Sequence, residues 1–234
     1  MSKGIIRLGL VGVLFVIGLL MAAPAAQADT FTFTSCHISG SSCQGGSVPS
    51  GFGTVTLTQS GTSVNFDVVL TDGNRFVETG SGGSSLFLFN DSLSGSQITN
   101  ITATLNGTTT SLALSGATSQ PAIMADGTGT FTAQVFCTTA SDCNGGSTPD
   151  INDLHFTVTS ATLAQLETAN ANGNIFVADI LCGATQTGCT GGLTGPVDVS
   201  TPSTGAPEPS STLLLSLALL GVVVVSRKLA LARG

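Results

Sequence analysis

Apolar and polar residues alternate with a period of two through most of residues 29–191, the signature of strands with one buried face. Val55 and Leu57 alternate with Thr54, Thr56 and Thr58, and Val64, Phe66, Val68 and Leu70 alternate with Asn65, Asp67 and Thr71. Gly61 lies between these two runs and Asp72-Gly73 follows them, so both segments are bounded by turn residues. Phe87 and Phe89 mark a short apolar run. Ile101, Ala103 and Leu105 lead into Asn106-Gly107, a hairpin signal because both residues tolerate positive φ, and Leu112 and Leu114 continue beyond it. Phe131, Ala133 and Val135 form one further strand face and Leu154, Phe156 and Val158 another. Ile175 to Leu181 is apolar on both faces and predicts a central strand. The one helical signal is a turn near Leu163 to Ala169, capped by Thr162 or Ser160. Many short strands joined by Gly and Asn turns predict an all-β, antiparallel sandwich or jelly roll.

Both ends depart from this pattern. Lys3 and Arg7 precede an apolar run from Leu8 to Met21, and Ala26-Gln27-Ala28 fits a small-x-small cleavage site. Residues 1–28 therefore read as a signal peptide, cleaved between Ala28 and Asp29, rather than as a permanent membrane helix. Residues 29–191 read as the ectodomain, and residues 192–206, rich in Gly, Pro, Ser and Thr, as a flexible stalk. From Leu213 to Val225 the chain is apolar except for Ser216, and Arg227, Lys228 and Arg233 follow. A helix over 210–226 would extend about 26 Å, enough to cross a bilayer whose hydrocarbon core is about 30 Å thick if its ends snorkel. The basic cluster would stay cytoplasmic and leave the ectodomain outside.

Charge narrows the partners. Between Asp29 and Ala206, twelve acidic residues face Arg75 alone, a net charge near −11. Nucleic acid is excluded as a partner, because its binding relies on cationic side chains that neutralise phosphates. An anionic lipid surface is disfavoured for the same reason.

The six cysteines form three local pairs, Cys36 with Cys43, Cys137 with Cys143 and Cys182 with Cys189. Each first cysteine ends an apolar or alternating run, and each second cysteine is followed by one residue and Gly-Gly. In an exported chain such a framework predicts three disulfides. The spacings exceed those of zinc knuckles and histidine is scarce, so metal binding by these cysteines is the weaker reading.

Little else suggests chemistry. His37 falls inside the first cysteine loop and is expected on an exposed tip; His155 lies between Leu154 and Phe156, so alternation points it away from the core. No nucleophile elbow, phosphate loop or zinc-protease motif occurs in the sequence. Asp150, Asn152 and Asp153 form a small oxygen cluster, a weak cation candidate, and otherwise no cofactor or metal is expected. Asp179 interrupts an apolar strand and needs a partner if buried, for which Arg75, paired with Asp179 or Glu78, is the expected cation.

The C-terminal segment Pro207-Glu208-Pro209-Ser210-Ser211-Thr212, the leucine-rich run with Gly221, and Arg227-Lys228 resemble the PEP-CTERM sorting signal of Gram-negative bacteria. The resemblance covers about the last 28 residues. It implies sorting and processing by an exosortase, a membrane peptidase-like enzyme, in an organism with an exopolysaccharide system. Gly53 to Leu57, Arg75 to Gly80, Phe87 to Asn90 and Phe176 to Ile180 further resemble β-rich ectodomains without assigned activity that carry this tail; the cysteine loops are additional to that pattern. Thr201-Pro202-Ser203-Thr204-Gly205 offers a competing likeness to a sortase motif, with Thr in place of Leu. The sequence thus predicts an exported cell-surface or matrix protein that is structural or adhesive, associated with exopolysaccharide, and not an enzyme. The alternatives are a secreted glycan hydrolase working with two carboxylates, or a sortase-anchored surface protein.

Overall fold

The computed structural model describes residues 27–79, 85–91, 93–144 and 151–199. They form a mostly β, antiparallel structure of two large sheets and one small hairpin. The first sheet holds β1 (Ala28–Thr32), β4 (Gly53–Ser60), β5 (Ser63–Leu70), β14 (Asp153–Thr159), β8 (Ile98–Leu105) and β9 (Thr108–Thr109), in that order across the sheet. The second runs β10 (Leu114–Ala117), β13 (Ala133–Cys137), β7 (Phe87–Phe89), β15 (Phe176–Leu181), β16 (Thr194–Val199), β2 (Ser35–Cys36) and β3 (Gly46–Ser47). β6 (Arg75–Phe76) takes over the flank of β15 at Ile180 and Leu181, beyond the stretch that pairs with β7. β11 (Ile123–Ala125) and β12 (Gly129–Phe131) make the hairpin.

The period of two becomes the packing. In β4 and β5, Val55, Leu57, Val64, Phe66 and Val68 are buried while Asn65 and Asp67 face solvent. Phe66 and Phe156 from the first sheet meet Phe87, Phe89 and Phe176 from the second. Phe66 stacks on Phe156 with centroids 4.5 Å apart and meets Phe176 edge-on at 5.9 Å, geometries that the ring quadrupoles favour. With neither Trp nor Tyr in the sequence, phenylalanine supplies the large buried aromatic rings among the described residues. At one edge β10 crosses β8 so closely that a Cβ on Gly116 would lie 2.5 Å from the Cβ of Ile98.

β15 is buried on both faces, as its unbroken apolar run predicts, because two separate clusters flank it. Phe176, Ala178 and Ile180 join the main core; Val177 joins Leu88, Ala125 and Phe131 in a small second cluster. Phe131 therefore does not share one strand face with Ala133 and Val135. The chain breaks at Thr132, and Phe131 belongs to the hairpin. The helical turn forms as α1 (Leu163–Leu166), where Gln165 Oε1 accepts the Thr162 N–H at 2.9 Å.

Residues 192–206 do not begin a flexible stalk. Thr194–Val199 is a strand hydrogen-bonded on both sides, between β15 and β2, with five of its six residues buried. Pro196 is tolerated there because a strand residue directs its N–H and C=O to the same side. The Pro196 carbonyl accepts the His37 N–H at 2.9 Å, so the missing donor falls just past the end of the two-residue β2. Residues 200–206 lie outside the described residues.

All three local disulfides form: Cys36–Cys43, Cys137–Cys143 and Cys182–Cys189. The first and third loops abut, since Cys43 N–H and Ser42 Oγ both donate to the Gly188 carbonyl at 3.0 Å. A buried polar network braces that end. Asn74 donates to the Phe52 carbonyl at 3.1 Å and to Gln186 Oε1 at 2.5 Å, and accepts the Gly183 N–H at 2.9 Å.

Candidate functional site

The solvent face of the six-stranded sheet gathers hydroxyls, an amide, carboxylates and a histidine. Alternation turns Thr, Asn, Asp and His outward from five adjacent strands, and the pairing register lines them up. Thr30, Thr56, Asp67, His155 and Thr102 form one row across β1, β4, β5, β14 and β8. A second row runs Thr32, Thr54, Val69, Asp153, Thr104 and Thr109. Hydroxyls bond across the strands, Thr30 to Thr56 at 3.1 Å and Thr157 to Asn65 Oδ1 at 2.9 Å.

At the centre of this face His155 bridges two carboxylates. Its Nδ1 lies 3.2 Å from Asp67 Oδ1 and its Nε2 3.0 Å from Asp153 Oδ1. Thr104 Oγ1 donates to the other Asp153 oxygen at 3.2 Å. Partial burial pushes the Asp67 carboxyl up from its ordinary value; His155 opposes the shift and Asp153 adds to it. Beside the trio the ladder from β14 to β8 slips between His155 and Thr157, a β-bulge at which Asn100 adopts a left-handed φ of 54°. A depression of about 220 Å³ opens there, lined by Asn65, Asp67, Asn100, His155 and Thr157 among others.

The other histidine departs from its expected place. His37 is not on an exposed tip: its side chain is 24 % accessible and its Nε2 lies 2.7 Å from Oδ2 of Asp198, which is 1 % accessible. Register explains it, because Asp198 pairs with Ser35 and His37 follows the same strand. Ser35 Oγ lies 3.2 Å from the same Nε2. A serine–histidine–aspartate relay uses the two ring nitrogens separately, one for the nucleophile and one for the acid; here both partners converge on one nitrogen. Burial raises the Asp198 carboxyl and His37 and Ser35 partly offset that.

The two acids expected to pair with Arg75 each accept a backbone N–H. Asp179 Oδ2 accepts the Thr79 N–H at 2.5 Å, and Glu78 Oε1 accepts the Cys137 N–H at 2.5 Å. Glu78 also lies beside Cys137 and Cys143, but both sulfurs are held in a disulfide and offer no thiolate to a metal. Of the expected oxygen cluster Asp150, Asn152 and Asp153, two members fall within the described residues. Asn152 Oδ1 accepts the Asn106 N–H at 2.8 Å and so holds the β8–β9 turn, Asp153 faces His155, and Asp150 lies outside those residues.

Ala28 and Asp29, the expected cleavage pair, are the first two residues of β1, opposite Thr58 and Leu57. Asp29 faces Glu167, just after α1, closely enough to raise its carboxyl. The sorting-motif residues Pro207, Glu208, Pro209, Arg227 and Lys228, and the apolar runs 8–21 and 210–226, lie outside the described residues. Among the described residues no helix is long and apolar enough to cross a membrane.

These buried carboxyls set a pH dependence. Burial lifts Glu78 to about 7, the Cys137 N–H opposing and Asp179 adding to the shift. Burial lifts Glu167 to about 7 as well, reinforced by the facing carboxyl of Asp29. A carboxyl raised in the folded state binds more protons there than in the unfolded chain, so its stabilising contribution is complete below about pH 4.5 and is lost as pH rises through about 7. The melting temperature is expected to be higher at pH 5 than at pH 8, with Glu78→Gln flattening the profile. Thermal melts at pH 5, 6.5 and 8 test this, and a melting point that rises with pH contradicts it.

Comparisons of the chain with family models, with curated proteins and with solved structures return no match. The functional reading therefore rests on the chemistry of the chain itself.

Proposed function

We propose that this chain is an exported cell-surface or extracellular-matrix protein whose role is structural or adhesive. In this reading its body is a β-sandwich of jelly-roll type. A signal peptide removed before Asp29 delivers it, and the C-terminal PEP-CTERM segment hands it to an exosortase-type enzyme at the membrane. The observation that carries the proposal is the set of three short-range disulfides, one for each cysteine pair, which suits an oxidising compartment outside the cytoplasm.

The hydroxyl-rich face of the six-stranded sheet supplies the contact surface. Rows of Thr and Asn side chains, set at strand spacing, offer donors and acceptors to the hydroxyls of an exopolysaccharide. A non-catalytic role is favoured by the use of the inner carboxylates: Asp179, Glu78 and Asp198 hold a threonine N–H, a cysteine N–H and a histidine. A glycan hydrolase would instead need two carboxyls flanking a substrate-filled cleft.

The test is the intact mass of the protein recovered from its native host, before and after reduction, followed by retention on that host's own exopolysaccharide. A species from Asp29 to near Pro207 that gains six hydrogens on reduction, and is retained on the polysaccharide, is expected. A mass that still includes residues 1–28 defeats the export reading. One that still runs through Gly234 defeats exosortase processing, cleavage between Thr204 and Gly205 assigns the tail to a sortase, and lack of retention removes the adhesive role.

A further inference from the structure

We infer that Asp67, Asp153 and His155 form a binding site for a divalent transition cation of the zinc class. The three residues come from two paired strands. His155 and Asp67 are direct cross-strand partners in the β5–β14 ladder, and Asp153 stands two residues along β14 on the same face. The ladder thus fixes all three backbones, and only side-chain rotation separates the present geometry from a coordinated one.

One donor atom from each residue lies within 4.8 Å of the other two. Around a cation with bonds near 2.1 Å, donors in neighbouring positions stand about 3.4 Å apart, so a contraction of at most about 1.4 Å closes the set. At present the imidazole spans the two carboxylates, Nδ1 toward Asp67 and Nε2 toward Asp153. An entering cation takes one ring nitrogen together with one oxygen from each acid.

The donor set selects the ion. Imidazole suits zinc, copper and nickel, whereas calcium and magnesium prefer all-oxygen shells, and calcium takes six to eight donors. Two acids and one histidine are too few oxygens for calcium and an ordinary partial set for zinc. Asp67 and His155 also line the depression beside them, together with the polar groups of Asn65, Asn100 and Thr157. The site is also reachable, since His155 is 41 % and Asp67 51 % accessible. The surplus of acidic residues over Arg75 between residues 29 and 206 draws cations toward the surface. This inference does not depend on the surface-protein reading, because it rests on the sheet register and the geometry of the three donors.

The experiment is calorimetric titration of the oxidised full chain, cleared of metal with chelator, with zinc chloride, in parallel with calcium chloride. One zinc per chain is expected to bind saturably, with calcium at least tenfold weaker. His155→Gln should weaken zinc at least tenfold, and Asp67→Asn should weaken it as well, while both variants keep the metal-free melting temperature of the parent within a few degrees. If His155→Gln loses the fold, perturbation of the His155 ring resonances by zinc in the parent protein decides the matter. Unchanged zinc affinity in His155→Gln, loss of binding in His37→Gln instead, equal affinity for calcium, or ring resonances that do not respond would each overturn the assignment.

Discussion

Reduction of the three disulfides is expected to lower unfolding stability by about 7 kcal/mol, about 2.5 kcal/mol for each link in the chain-entropy account. The links close short loops, with sequence separations of 7, 6 and 7 residues. Each therefore removes a modest but real share of unfolded-state freedom. Against a usual total of about 5–15 kcal/mol for a domain, the sum is enough to leave the reduced chain marginal or unfolded. The effects should not all be independent. Backbone and hydroxyl hydrogen bonds to Gly188 join the Cys36–Cys43 and Cys182–Cys189 loops, so paired Cys→Ala variants at these two sites should couple. The Cys137–Cys143 loop leans on Glu78, and its loss should add to the others. Urea unfolding with and without reductant measures the total, and coincident midpoints would refute it.

Truncation at the centre of the core is the second large effect. Phe66→Ala is expected to cost about 3–5 kcal/mol, the range for removing a buried ring whose surroundings relax only in part. Phe66 contacts rings from both sheets: Phe156 on its own, and Phe87, Phe89 and Phe176 opposite. Its removal takes away packing between the layers as well as within one, and paired β-strands leave the backbone little freedom to collapse into the gap. Phe66→Leu refills most of the volume and should cost less than half as much. A shift in urea midpoint at constant slope is the expected readout; a loss below about 1 kcal/mol would show that the sheets close over the cavity.

Much of this core is legible in the sequence because alternation reports burial directly. Val64, Phe66 and Val68 alternate with Asn65 and Asp67, and the structure buries the first set and exposes the second. Asn106-Gly107 makes its turn with φ values of 51° and 80°. The features that alternation does not report depend on neighbours distant in the chain. Thr194–Val199 looks like a linker by composition, and only the flanking strands β15 and β2 make it a strand. Phe131 alternates in phase with Ala133 but turns out to the hairpin cluster, because the strand breaks at Thr132. The place of His37 in a cysteine loop predicts exposure, while Asp198, which holds it, lies 161 positions further along the chain.

The candidate site was half legible for the same reason. The outward direction of His155 follows from its apolar neighbours, and Asp67 is outward by the same rule. That the two are opposite each other is a property of register between β5 and β14, strands separated by more than eighty residues. The bulge at Asn100, which opens the depression beside them, breaks the alternation expected of Ile101 and leaves that residue only partly buried.

The position of β16 also bears on how the body withstands mechanical force. Any pull transmitted from residues beyond Val199 enters along the axis of a strand clamped by β15 on one side and β2 on the other. Because ladder hydrogen bonds lie across the strand direction, such a load shears them together instead of peeling them one at a time. A surface protein tethered through its C-terminus would thus meet drag with the collective resistance of its most deeply buried ladder. The same load applied at Ala28 would reach β1, an edge strand that among the described residues pairs with β4 alone, and would be borne by that single ladder.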